Sequence, residues 1–112
     1  MTQEYTREQV RIAADVGAPF SVRLAANPTT GHAWQPAFDP ARLEWLGREF
    51  VSPASPPGVG GIERFDWRAR AAGATRLSFA YRRPWESGTP ADEVVFEVVC
   101  RSPDPGSEHL VA

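Results

Sequence analysis

Lysine is absent from this chain, cysteine occurs once, at Cys100, and histidine twice, at His32 and His109. A single cysteine excludes an internal disulfide, so the fold must stand on packing alone. No Cys/His pair has the spacing of a metal site, and no cofactor or metal is expected. With no lysine, all 12 basic residues are arginines, flat forked donors suited to carboxylates and aromatic faces. The formal net charge of −2 argues against nucleic acid as a partner. No run approaches the roughly 18 apolar residues of a membrane helix, so no membrane association is expected. Residues 1–11 carry Glu4 and Glu8 and lack the apolar core of a signal peptide, which leads us to expect a cytoplasmic protein. Nothing supports a Ser/His/Asp arrangement, so an enzyme is not expected.

What is present is alternation. Hydrophobic residues make up 42% of 112, enough for a core in one domain. Val10, Ile12 and Ala14 suggest a first strand, and Phe20, Val22 and Leu24 a second. A third starts near Ala33-Trp34, and Leu43 to Val51 reads as a strand of unclear register. Phe65, Trp67 and Ala69 alternate with Asp66, Arg68 and Arg70. Leu77, Phe79 and Tyr81 alternate with Ser78, Ala80 and Arg82, and Val94, Phe96, Val98 and Cys100 close the series. Cys100 then faces inward as a structural thiol, whereas Glu63 and Asp66 read as solvated strand charges. Residues 36–42 have room for one helical turn. The pattern predicts an all-β, immunoglobulin-like antiparallel β-sandwich of about seven strands. The domain is expected to span residues 1–101, with 102–112, which hold two prolines, as a flexible tail. Because antiparallel strands alternate in direction, the second, fourth and sixth connections emerge at one end.

Those three connections hold the most distinctive residues. Asn27-Pro28-Thr29-Thr30-Gly31 is a stiff turn: Asn bonds nearby backbone, Pro presets φ, and Gly provides a positive φ at the exit. Pro53 to Gly61 is proline-rich in its first half and ends in Gly58-Val59-Gly60-Gly61, where backbone can approach a surface that side chains would block. A phosphate loop would need Lys-Ser/Thr and a helix to follow; here a strand with Phe65 and Trp67 follows. Arg83-Pro84-Trp85 follows an inward set that is already complete, so Trp85 is expected at the start of loop 83–91, partly exposed. Exposed Trp beside Arg is a common interface anchor. Taken singly, each segment also reads as a plain turn or loop. Together they describe a binding edge.

The conjunction of Asn27-Pro28-Thr29-Thr30-Gly31, Gly58-Val59-Gly60-Gly61 and Arg83-Pro84-Trp85, in this order and spacing, resembles the chagasin-type inhibitors of papain-like cysteine proteases. His32 stands where that family often has an aromatic residue. The resemblance implies a reversible, non-covalent, competitive inhibitor whose partner is a protease of the papain or cathepsin L type, acting as a monomer. It implies that the first loop, led by Thr29, covers the catalytic centre. The glycine loop would run extended along the substrate groove, and Trp85 would pack on the leaving-group side. A side chain added at Gly60 or Gly61 is then expected to weaken binding while the fold survives. An immunoglobulin-like adhesion or carbohydrate-binding module using the same loop end is the alternative.

Overall fold

The computed structural model describes residues 3–26, 31–51, 61–86 and 88–102. The described residues form eight strands in chain order: β1 (Gln3–Tyr5), β2 (Arg11–Asp15), β3 (Pro19–Ala26), β4 (Ala33–Ala37), β5 (Leu43–Val51), β6 (Gly61–Ala69), β7 (Gly73–Arg82) and β8 (Asp92–Arg101). They form two facing sheets of order β1-β3-β6-β5 and β2-β8-β7-β4.

The period-two pattern dictates this arrangement, because each strand can bury only one face. In β8 the residues Val94, Phe96, Val98 and Cys100 are buried and those between them are not. Phe20, Val22 and Leu24, then Phe65, Trp67 and Ala69, then Leu77 and Phe79 complete the inward rows. The rows mesh across the interface: Phe65 lies 4.9 Å from Phe79, and Phe79 meets Phe96 edge-on at 5.9 Å. Burying each such ring contributes about 1.5–3 kcal/mol. Cys100 is buried, as expected. Burial pushes its thiol pKa up, and the Arg42 charge offsets part of that rise.

The architecture departs from the sequence reading in several places. An additional strand, β1, lines the edge of the first sheet. The sheets are mixed rather than purely antiparallel, since β1 pairs parallel with β3 and β2 parallel with β8. The N-terminal segment thus contributes one edge strand to each sheet. Val10 lies outside β2 and is exposed. The helical turn expected within 36–42 is a single turn starting at Asp39 that does not continue into a helix. Pro36 continues β4, an edge strand where a missing N–H is tolerated. Asp39 then closes a tight turn: its carboxylate accepts from the Ala41 amide at 2.9 Å, and its carbonyl accepts from Arg42 and Leu43 at 3.0 and 2.9 Å. The unclear register of β5 has a cause, an irregularity between Trp45 and Gly47 that leaves Trp45 and Leu46 both exposed. Such a bulge also blunts an edge strand against pairing with other chains.

Directionality positions the functional end. β3, β5 and β7 run toward it; β4, β6 and β8 run away. The pairings Ala26↔Gly61 and Val51↔Ile62 finish one sheet there, and Ala33↔Arg82 and Tyr81↔Asp92 finish the other. The short connection from β3 to β4 bridges the two sheets at this end. The segments 27–32, 52–60 and 83–91 therefore emerge together.

Candidate functional site at the three-loop end

The third loop begins as a tight turn that is closed twice. The Glu86 amide donates to the Arg83 carbonyl at 3.0 Å, and the Arg83 guanidinium meets the Glu86 carboxylate at 3.2 Å. Pro84 takes the second turn position, where its fixed φ is favourable. Trp85 takes the third, and its side chain projects into solvent, 73% exposed. No core contact requires a ring of that size there.

The first and third loops touch. Gly31 has φ of +80°, and a Cβ placed on it would lie 3.2 Å from Trp85 Cη2 and 3.7 Å from Arg83 Nε. Glycine is favoured here because the backbone is left-handed, and a methyl would also push the indole aside by a few tenths of an ångström. Beneath this contact His32 stacks on Tyr81 at 5.2 Å, and Tyr81 leans on Trp34 at 4.7 Å. His32 fills the aromatic role that the resemblance led us to look for. The Trp34 indole N–H donates to the Ala25 carbonyl at 2.9 Å, joining β4 to β3 across the two sheets directly below the first loop.

The second loop rises from the β5–β6 hairpin. Gly61 belongs to strand β6, paired with Ala26, and is not part of a free loop. A Cβ there would collide with the Val51 carbonyl and lie 2.8 Å from Phe50 Cζ. Glu63, read from sequence as a solvated charge, is instead buried. The alternation set by Phe65 and Trp67 turns it inward, where it pairs with Arg48, whose Nε lies 2.9 Å from the carboxylate. The Arg48 guanidinium lies 5.1 Å over the Phe65 ring. Removing the cation strands a carboxylate whose side chain is only 10% exposed. Arg48→Ala is therefore expected to cost about 1–3 kcal/mol, lowering the melting temperature by roughly 5–15 °C. Arg48→Ala with Glu63→Gln should recover part of the loss in thermal unfolding. An Arg48→Ala variant melting with the wild type would show the pair to be energetically idle.

Of the residues assigned to the site from sequence, Gly31, Gly61, Arg83, Pro84 and Trp85 fall at this end. Asn27, Pro28, Thr29, Thr30, Gly58, Val59 and Gly60 lie outside the described residues. Two contributions went unread in the sequence. Glu86 closes the Trp85 turn. The β1–β2 connection also reaches this end, held by Arg7, which grips Asp92 with two hydrogen bonds of 2.8 and 3.1 Å. Those bonds hold the Asp92 carboxyl below its ordinary pKa, with the neighbouring Glu93 amide adding to the effect. No local signal connects residues 7 and 92. The charge at Glu86, three residues after Arg83, was legible as a turn closure.

A β-sandwich that gathers three loops at one end, with an exposed tryptophan braced against the first of them, is a protein-binding module. Family comparison places it: the model of the chagasin family of peptidase inhibitors, family I42, matches residues 13–99, and the chain belongs to that family. It is a family of inhibitors, not enzymes. The chain is 32% identical to chagasin of Trypanosoma cruzi over 95 residues, covering 78% of this chain and 84% of chagasin. It is 28% identical to amoebiasin-2 of Entamoeba histolytica over 85 residues, covering 71% and 68%. In fold it is similar to the cysteine protease inhibitor EhICP2 of Entamoeba histolytica, with a TM-score of 0.80 at 22% identity over 89% of this chain and 96% of that one. PbICP-C, whose structure is in complex with falcipain-2, superposes with a TM-score of 0.55 at 16% identity, over 90% and 92% of the two chains.

Proposed function

We propose that this chain is a reversible, non-covalent, competitive inhibitor of papain-like cysteine proteases and that it fills the active-site cleft with loops 27–31, 53–61 and 83–91. The observation that carries this reading is Trp85. It stands 73% exposed on a turn closed by two bonds and braced by Gly31, so it is presented rather than buried. Family membership supports the inhibitory class, and the complex of PbICP-C with falcipain-2 supports the kind of target. The adhesion or carbohydrate reading has no comparable support.

The roles of the loops are those that the family resemblance implies. Thr29 meets the catalytic centre with a side chain, so no peptide carbonyl is aligned for attack by the thiolate. The strands on either side of segment 27–31, β3 and β4, are joined by the Trp34–Ala25 hydrogen bond, and a preorganised scaffold lowers the entropy cost of binding. Gly58, Val59 and Gly60 lie along the substrate groove, with Gly61 anchoring their exit in β6, and Trp85 packs on the leaving-group side, flanked by Arg83 and Pro84.

The test is a fluorogenic assay with papain and a cathepsin L-type enzyme. Competitive inhibition is expected, with full protease activity recovered on dilution and no effect on serine or aspartic proteases. Mass spectrometry after long incubation with excess papain should find residues 3–101 uncut. Micromolar protein leaving several papain-like enzymes fully active would overturn the reading. Cleavage within 27–31 or 58–61 that tracks loss of inhibition would make the chain a slow substrate instead.

A further inference from the structure

Two glycines at the loop end share an unusual environment. Gly31, at the exit of the first loop, lies under the Trp85 ring, and Gly61, at the exit of the second, lies under the Phe50 ring. In each case the position a Cβ would take is within 3.2 Å or less of an aromatic carbon. Both rings are also exposed, Trp85 at 73% and Phe50 at 38%, and neither belongs to the buried core cluster. Phe50 sits one residue before the end of β5, cross-strand from Glu63, on the face that carries the Arg48–Glu63 pair. Its ring, the Val51 carbonyl and Ala26 enclose Gly61. The path of the chain as it leaves the glycine loop is therefore set by Phe50 from the side.

We infer that Phe50 is a positioning residue for inhibition: it fixes the exit of loop 53–61 at Gly61, as Trp85 and Gly31 brace one another at the first loop. This rests on the inhibitor reading above. An aromatic ring on a glycine Cα is a compact way to immobilise backbone that carries no side chain of its own. An ordered loop binds without losing that freedom again in the complex.

The experiment measures the inhibition constant against papain for wild type, Trp85→Ala, Phe50→Ala and Phe50→Leu, each titrated for folded inhibitor. Hydrogen exchange of amides 52–63 is followed in the free proteins. Phe50→Ala is expected to weaken inhibition by about 5- to 30-fold, with faster exchange in 52–63 and unchanged exchange in β8. Phe50→Leu should restore at least half of the loss on a logarithmic scale, since it still covers Gly61. An unchanged inhibition constant in Phe50→Ala overturns the inference. So does failure of Phe50→Ala to fold, which would make Phe50 a core residue. Lost inhibition with exchange in 52–63 left as in the wild type also overturns it, because the ring would then be touching the protease directly. If wild type itself fails to inhibit, the functional reading fails. If wild type and Trp85→Ala behave as expected and Phe50→Ala does not, only the role of Phe50 fails.

Discussion

Replacing Trp85 by alanine should weaken inhibition of papain by roughly 30- to 1000-fold, the equivalent of about 2–4 kcal/mol for a central aromatic anchor. The melting temperature should stay within about 2 °C of wild type, because a ring 73% exposed gives up little burial when it is removed. The turn should persist, since the bonds between Arg83 and Glu86 involve backbone and charge and not the indole. Trp85→Phe should keep part of the affinity. The loss should fall mainly in the dissociation rate, where contacts of this kind act. Stability lost with inhibition retained would make Trp85 a packing residue and remove the main support for the proposed function.

Gly61→Val should show a different pattern, with stability and inhibition falling together. The new Cβ meets the Val51 carbonyl, which is backbone in the neighbouring strand, and Phe50 Cζ at 2.8 Å. A flexible side chain could swing aside, but the carbonyl can move only if the β5–β6 ladder separates near Val51↔Ile62. Overpacking of this kind costs about 1–3 kcal/mol, or roughly 5–15 °C in melting temperature for a domain of this size. Inhibition should drop at least about tenfold as the loop exit shifts, by analogy with the cost of misplacing a preorganised contact. Gly61→Ala should fall between. This outcome differs from the one the sequence suggests, in which a side chain here disturbs only binding. Thermal unfolding beside the inhibition assay separates the two. A Gly61→Val protein melting with the wild type would mean that the strand ends there are free to part.

The sandwich was legible where alternation is clean. Phe65, Trp67 and Ala69, and Val94, Phe96, Val98 and Cys100, face inward as their period requires. The loop end followed from direction alone, without any contact being known. What escaped was non-local or irregular. β1 is three residues long and is held by a partner strand some 17 positions away, so no local pattern marks it. The bulge after Trp45 shifts the phase of β5, and a shifted phase looks like no phase. Glu63 was misplaced because its charge was given more weight than its position, although the row through Phe65 and Trp67 already turned it inward. Gly61 was read as loop because glycine is frequent in loops. Its real constraint is a carbonyl and a ring supplied by another strand.

The lone cysteine gives the molecule a clock. Cys100 lies near the end of β8, which is held between β2 and β7, and its thiol is buried with a raised pKa. Thiolate is the reactive form, so while the strands are closed this sulfur is shielded from alkylating reagents. A thiol reagent added to the folded protein thus records, at one atom, how often the second sheet comes apart. Protease bound at the distant loop end should slow the part of that record due to global unfolding, which destroys the binding site, and leave local opening of β2 or β8 unchanged.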